Sequence, residues 1–219
     1  MRRRAFSLQL ASLAGIAGPI GLLLPQTMNA QGAVPVEGQQ YVKLAQPVPV
    51  AGNGKLDLIE FFWYGCPHCN AFEPFLEPWV KKLPDGVAFR RVHVAFDALK
   101  EIHQRLYYTL EVMGAVDAMH AKVFARFHAE HKPINREADA VAFATANGLD
   151  GTKFLASWNS FSVQTRMRQG KALSEAYRLD GVPTLGIHGR YTTSPAMANG
   201  NAEALQVCNY LINQARKAG

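Results

Sequence analysis

The sequence predicts a small α/β sheet into which an all-helical domain is inserted. An apolar run over residues 58–63 is typical of a buried strand and leads into the tetrad Cys66-Pro67-His68-Cys69. Residues 98–179 then follow a helical pattern almost without interruption. Strand patterns return at Thr184, so the helical block separates two parts of one sheet.

Strand and helix alternate before the helical block. Residues 56–63 form the first long predicted strand, after a lead-in with one short strand candidate at residues 41–44. A helix is expected over residues 66–83, because apolar residues recur there at helical spacing. Residues 87–96 alternate well enough to predict a second strand beside the first.

The helical block and the segment after it are divided by turn residues. Three breaks are predicted inside the block, at Gly114, Lys132-Pro133 and Asn147-Gly148. Residues 184–187 and 190–193 flank the tight turn His188-Gly189, a pattern typical of a β-hairpin. A last helix is expected over residues 202–217.

Residues 1–30 have the layout of an export signal. Three arginines follow Met1, residues 5–36 carry no charge, and an apolar core spans residues 8–24. The alternative, an uncleaved membrane anchor, needs about 20 apolar residues, whereas Gly, Pro and polar residues interrupt this segment. We expect export, with cleavage of the signal peptide near Ala30.

The basic composition belongs largely to that signal. The chain of 219 residues carries 23 basic and 17 acidic residues, a formal net charge of +6. Removing the three arginines of residues 1–30 from the 23 basic residues leaves a net charge of +3. This small charge gives no reason to expect a nucleic-acid partner.

Cys66 and Cys69 have the spacing of a redox dithiol. A helix that opens at Cys66 points free backbone N–H groups and the positive end of its dipole at that sulfur, which favours the thiolate. Pro67 falls at the first helical position, where its missing N–H costs nothing. Cys69 lies one turn further along the same face. We expect Cys66 to be the exposed attacking thiolate and Cys69 the buried resolving thiol.

His68 is expected to tune this dithiol. An imidazole beside Cys66 can donate a hydrogen bond or a positive charge to the thiolate, which makes the disulfide a stronger oxidant. The alternative, a zinc site on His68 and the two cysteines, lacks a fourth ligand and a second pair at matching spacing. We therefore expect no metal, and no cofactor besides the Cys66–Cys69 disulfide.

Glu60 is a carboxylate inside an otherwise apolar strand, six residues before Cys66. Buried charges are rare unless they are paired or functional, and Arg91 on the adjacent predicted strand is a candidate partner. The alternative is a glutamate at the strand edge that points to water. Cys208 falls on the apolar side of the last helix, and we expect it to be a buried, inert thiol.

The histidines outside the tetrad lie on separate elements without ligand spacing. We expect them to be surface residues or core residues with satisfied hydrogen bonds, at positions 93, 103, 120, 128, 131 and 188. Gly181-Val182-Pro183-Thr184 matters more, because it directly precedes the hairpin. A cis bond before Pro183 would leave the backbone of Val182 free to pair with an extended substrate segment.

Together these features resemble the DsbA family of periplasmic thiol:disulfide oxidases. The resemblance covers most of residues 41–217. Its motifs are Glu60-Phe61-Phe62 leading to the tetrad, the long helical insertion, and two further segments, Trp158-Asn159-Ser160-Phe161 and Gly181-Val182-Pro183. The sequence departs from the family pattern at Trp63-Tyr64-Gly65, at Arg91, where a lysine is common, and at the extra Cys208. The first departure lies on the substrate-facing surface and bears on substrate preference.

The resemblance implies a thioredoxin fold interrupted by a helical domain. Residues 31–97 and 180–219 would form the thioredoxin-like domain and residues 98–179 the insertion. It further implies a cis bond before Pro183 and a role for Glu60 as the buried acid near Cys69. It implies an enzyme in the periplasm that donates its disulfide to reduced, unfolded exported proteins and is reoxidised by DsbB, a quinone-linked membrane protein. We expect a monomer.

Two other functions stay open. One is a periplasmic disulfide reductase or isomerase, although the chain has no separate N-terminal dimerisation module of the kind an isomerase would use. The other, from a different class, is a thiol-dependent chaperone or peptide-binding module in which the dithiol is incidental.

Overall fold

A five-stranded sheet forms the centre of the molecule, in the order Val42–Lys43, Tyr191–Thr193, Thr184–Ile187, Leu56–Phe62 and Val87–His93. The computed structural model describes residues 34–50 and 54–217, so the predicted signal peptide lies outside the described residues. The strands are β1 Val42–Lys43, β2 Leu56–Phe62, β3 Val87–His93, β4 Thr184–Ile187 and β5 Tyr191–Thr193. Strands β2 and β3 are parallel, while β4 runs antiparallel to both β2 and β5.

Eight helices are assigned in the described residues. They are α1 Pro67–Val80, α2 Ala98–Val112, α3 Val116–His128, α4 Glu137–Ala146, α5 Gly151–Trp158, α6 Phe161–Ala176, α7 Pro195–Ala198 and α8 Asn201–Lys217. Helices α2 to α6 lie between β3 and β4 in the chain, as the helical pattern predicts. The described residues form one compact unit, and the division into two domains stays a prediction.

Local sequence explains where most of these elements begin. The side chain of Asp97 accepts a hydrogen bond at the start of α2, and Asp150 and Ser160 do the same for α5 and α6. The expected helix after the tetrad ends at Val80 rather than at residue 83, and the second strand ends at His93 rather than at residue 96. The short helix α7 is not predicted by the sequence pattern, and Ser194 caps it.

Strand β2 positions the site, and all seven of its residues are buried. Because side chains alternate along a strand, Leu58 and Ile59 point to opposite faces and join different apolar clusters. Phe62 packs in a third cluster with the side chains of the helical block. None of the helices in residues 34–50 and 54–217 is long and apolar enough to cross a membrane.

Candidate active site

Cys66 lies at the junction between β2 and α1. Its backbone is extended and it is the N-cap residue of α1, with Pro67 in the first turn, as predicted. The Cys66 Sγ accepts a hydrogen bond from the backbone N–H of Cys69, with an N···S distance of 3.4 Å. The sulfur therefore faces the unpaired donors of the helix start.

These contacts make the Cys66 thiol acidic. Its pKa is lowered to about 6, mainly by a hydrogen bond with the Cys69 thiol and also by the backbone N–H groups of Cys69 and His68. Partial burial of Cys66 acts in the opposite direction, and the charge of His68 contributes less than the hydrogen bonds do. His68 therefore supports the thiolate, while the start of the helix and the partner thiol dominate.

Both cysteines are reduced and both are largely covered. Cys66 is only 6% exposed, so the expectation of an exposed Cys66 is wrong. The segment before β4 packs against it, and the Cys66 thiol donates to the carbonyl oxygen of Val182 at 3.5 Å. Cys69 is fully buried. Burial and the hydrogen bond to Cys66 raise the pKa of the Cys69 thiol far above its usual range.

Glu60 is fully buried in the middle of β2, which rules out the alternative of a strand-edge glutamate facing water. Burial, together with the nearby charge of Glu73, raises the pKa of Glu60 to about 8, although Arg91 opposes this shift. Arg91 Nε donates to Glu60 Oε2 at 2.8 Å. Among the described residues, the other oxygen, Oε1, has no hydrogen-bond partner. The surroundings of Glu60 therefore favour its protonated form more than water does for an exposed glutamate.

Arg91 donates hydrogen bonds to three carboxyl groups. Besides Glu60, its guanidinium donates to Glu73 Oε2 at 3.3 Å and to Glu77 Oε1 at 2.6 Å. Glu60 and Arg91 are direct neighbours in the parallel β2–β3 ladder. The pairing of these two residues, which adjacent strands predict, is confirmed.

The peptide bond between Val182 and Pro183 is cis, as expected. It lies beside a groove of about 870 Å³, whose lining includes His68, Val182, Pro183 and Met197. The Val182 carbonyl accepts a hydrogen bond from the Cys66 thiol. The expectation that the backbone of Val182 is free to pair with substrate is therefore only partly met. The groove thus reaches the dithiol through His68 and through Val182, which contacts Cys66, and it could take an extended segment of another chain.

Four of the histidines that look scattered in the sequence meet around Trp63 and Tyr64. For Tyr64, His93 accepts from the backbone N–H at 3.2 Å, His120 Nδ1 lies 3.0 Å from the hydroxyl, and His128 donates to the carbonyl at 2.7 Å. His103 Nδ1 accepts from the Trp63 indole N–H at 2.8 Å. Both ring nitrogens of His103 and of His120 have a partner, so the expectation of satisfied core positions is right for these two. It is wrong for His93, because its buried Nδ1 has no hydrogen-bond partner among the described residues. Sequence spacing gives no sign that these side chains converge.

The Trp63 indole covers the backbone just before Cys66. It stacks on His103, with ring centroids 6.0 Å apart, and Lys100 lies 5.0 Å above it. A Cβ atom at Gly65 would overlap the indole ring. Glycine is therefore required at residue 65 as long as the indole lies there.

Cys208 is fully buried, as predicted, and burial raises the pKa of its thiol well above the usual range. A thiol in that state is a poor nucleophile. In the part of the chain that the structure describes, no group of three or more His, Cys, Asp or Glu side chains is arranged to hold a metal ion.

An acidic cysteine at a helix start, a buried partner one turn away and a cis-proline segment on a mixed sheet define a thiol:disulfide oxidoreductase of the thioredoxin class. Residues 57–211 match the model of the DSBA-like thioredoxin domain family. The chain belongs to this family, and it is a thiol:disulfide oxidoreductase whose site fits an oxidase role.

Known relatives cover nearly the whole chain. It is 41% identical over 218 residues to the thiol:disulfide interchange protein DsbA of Bordetella pertussis, covering 99% of this chain and 100% of that protein. It is 40% identical to the DsbA of Pseudomonas aeruginosa over 191 residues, which cover 87% of this chain and 90% of that protein. The crystal structure of Pseudomonas aeruginosa DsbA superposes with a TM-score of 0.80 and 41% identity, covering 83% of this chain and 94% of that one.

Proposed function

We propose that the protein acts in the oxidising direction and donates its Cys66–Cys69 disulfide to reduced, unfolded proteins exported to the periplasm. The supporting observation is the contrast between the two thiols, since the pKa of Cys66 is about 6 and that of Cys69 is strongly raised. A thiolate that is stabilised only in the reduced protein favours that form. The disulfide is then a strong oxidant of other thiols.

In the first step, a substrate thiolate attacks the Cys66 sulfur of the oxidised enzyme. A mixed disulfide forms, the Cys66–Cys69 bond breaks, and Cys69 leaves with the electron pair and takes up a proton. Glu60 is the proposed donor of that proton, because it is buried in the neighbouring strand and keeps its proton up to about pH 8.

In the second step, another thiolate of the substrate attacks the substrate sulfur of the mixed disulfide. A disulfide forms in the substrate, and Cys66 leaves as the thiolate that the start of α1 stabilises. Two electrons have then passed from the substrate to the enzyme. The reaction needs no cofactor besides the disulfide itself.

The groove beside Val182 and Pro183 is the proposed substrate site. Its lining includes His68, which lies between the two cysteines in the chain, and apolar side chains such as Leu179 and Met197 line it together with the charged residues Lys43 and Asp180. A mixed lining of this kind suits unfolded segments of varied sequence better than one defined ligand.

The proposed setting follows the relatives. The protein would be exported with cleavage near Ala30, act as a monomer and bind no nucleic acid. A DsbB-like membrane quinone reductase would reoxidise the dithiol by accepting its two electrons.

Equilibration in glutathione buffers tests the direction of the reaction. The fraction of reduced protein is read from the mass added by alkylation of Cys66 and Cys69. An oxidase stays reduced in buffers that leave ordinary protein dithiols oxidised. The matched variant His68→Pro should require less oxidising buffers for half reduction. A wild-type protein that becomes oxidised as readily as ordinary dithiols would favour the reductase instead.

A further inference from the structure

His120 of α3 connects the helical block to the buried charges beside the dithiol. Its Nδ1 lies 3.0 Å from the hydroxyl of Tyr64, and its Nε2 lies 3.2 Å from Glu73 Oε1. The residue is 6% exposed, so water has little access to the ring. Both ring nitrogens therefore have a protein partner.

The partners determine the tautomer of His120. An ionised carboxylate can only accept hydrogen bonds, so the Nε2 that faces Glu73 carries the proton. Nδ1 is then the acceptor for the Tyr64 hydroxyl. Burial lowers the pKa of His120, which favours this neutral form.

Glu73 links His120 to Glu60 through the side chain of Arg91. Its second oxygen, Oε2, accepts from Arg91 at 3.3 Å, and the same guanidinium donates to Glu60 Oε2 at 2.8 Å. The negative charge of Glu73 favours the protonated form of Glu60, whereas the positive charge of Arg91 favours its ionised form. The position of Glu73 therefore decides how strongly Arg91 acts on Glu60.

We propose that His120 is a positioning residue of the reaction: it holds Glu73 against Arg91 and thereby keeps Glu60 protonated for transfer to Cys69. Without the His120 N–H, the Glu73 carboxylate loses one of its two side-chain donors and keeps only the 3.3 Å contact with Arg91, so it can turn toward solvent. Arg91 then becomes the dominant charge beside Glu60, which ionises at lower pH. The inference rests on the proposed role of Glu60 as the proton donor.

Several other ionisable groups surround Glu60 and must stay constant in a test of this idea. They come from α1, from β3 and from the segment before α1: Cys69, Glu73, Glu77, Arg91 and Tyr64. The variants that test His120 change only residues of α3, so these groups are all retained.

The carboxyl ¹³C signal of Glu60 measures the effect directly. It is assigned in glutamate-labelled, reduced protein by its loss in Glu60→Gln, and it is followed from pH 5 to pH 10. His120→Gln places an amide N–H near the position of Nε2 and should titrate like the wild type. His120→Asn reaches only the position of Nδ1, and its Glu60 midpoint should fall by one unit or more.

A second measurement follows the reaction itself. The rate of mixed-disulfide formation between the oxidised protein and a cysteine peptide is compared at pH 7.5, where the ionisation of Glu60 matters. A midpoint one unit lower than about 8 leaves about threefold less protonated Glu60 at that pH. The rate of His120→Asn should fall by that factor, and that of His120→Gln should not.

His128→Phe is the matched control, because His128 lies on the same helix and contacts the backbone of Tyr64 but has no hydrogen bond to Glu73. It should leave the Glu60 midpoint unchanged. An equal shift in His128→Phe, or no difference between His120→Asn and His120→Gln, would overturn the role of His120. If Glu60→Gln leaves the pH dependence of the rate unchanged, the proposed role of Glu60 fails as well, which separates the two results.

Discussion

The two sulfurs of the dithiol lie one helical turn apart in opposite surroundings. Cys66 stands before the first turn of α1, where backbone N–H groups and a thiol donate to it, and its pKa falls to about 6. Cys69 lies inside the turn with no exposed surface, and its pKa is strongly raised. Two identical thiols thus differ in acidity because they lie three residues apart along one helix, one at its start and the other inside its first turn.

The difference shows that the helix start and burial divide the roles before any other residue acts. His68 adds to the acidity of Cys66, but hydrogen bonds from the helix start and from Cys69 contribute more. Glu60 and Arg91 act on the buried side. In the proposed reaction, the Cys66 side would face substrate and the buried side would handle protons.

The largest expected difference between the two cysteines is in trapping of substrates. Cys69→Ala should accumulate mixed disulfides with client proteins through Cys66, because no second thiol remains to release them. Cys66→Ala should accumulate none. Non-reducing gels with mass spectrometry of the linked peptides measure this. Equal trapping by both variants would contradict the assignment of Cys66 as the attacking residue, and a reductant should release every complex.

Alkylation of the reduced protein at pH 5 should separate the two thiols by at least a hundredfold in rate. Only Cys66 has a measurable thiolate fraction at that pH, and its rate should rise with a midpoint near pH 6. Iodoacetamide labelling followed by peptide mapping gives both rates. Cys208 is the internal control, since it is buried and should stay unlabelled. Comparable labelling of Cys69 would contradict the predicted difference in acidity between the two thiols.

The contributions of Glu60 and Cys66 to the free energy of unfolding should change with pH in opposite directions. The pKa of Glu60 is raised in the fold from 4.5 to about 8, so its contribution is present below pH 4.5 and is lost as pH rises through 8. The pKa of Cys66 is lowered from 9 to about 6, so its contribution is present above pH 9 and is lost as pH falls through 6.

Urea unfolding of the reduced proteins at pH 5 and pH 9 measures both contributions. The free energy of unfolding of the wild type minus that of Glu60→Gln should fall by a few kcal/mol from pH 5 to pH 9, since each unit of pKa shift is worth about 1.4 kcal/mol. The corresponding difference for Cys66→Ala should rise over the same range. Slopes of the same sign would show that the two groups do not oppose each other.

The smallest expected effect is the gap in melting temperature between the redox forms. The oxidised protein should melt a few degrees below the reduced one at pH 7, because oxidation removes the stabilised Cys66 thiolate. His68→Pro should narrow this gap. Thermal melts with and without reductant measure it, and Cys66→Ala, which cannot form the disulfide, should melt at one temperature in both. A higher melting temperature for the oxidised wild type would mean that the disulfide is a structural brace.

Sequence reasoning succeeded where the cause is local. The helix start at Cys66 and Pro67 needs only neighbouring residues, and the pairing of Glu60 with Arg91 needs only two adjacent strands. The short helix α7 was not predicted, because its four residues are too few to show a helical period.

The histidines around Tyr64 escaped for a different reason. His120 and His128 lie 56 and 64 residues from Tyr64 in the chain, and packing of the helical block brings them together. No local spacing encodes contacts at such separations. The coverage of Cys66 was missed for the same reason, since Val182 is 116 residues away.

Gly65 and Trp63 also constrain how the segment just before Cys66 can change during evolution. A side chain at residue 65 would overlap the indole, so it requires a smaller residue at 63. Removal of the indole alone would uncover His103 and leave its Nδ1 without the indole N–H. A side chain at residue 65 is therefore expected only where the indole is absent, and we expect the two positions to covary among relatives. The segment just before Cys66 would then diversify in paired steps.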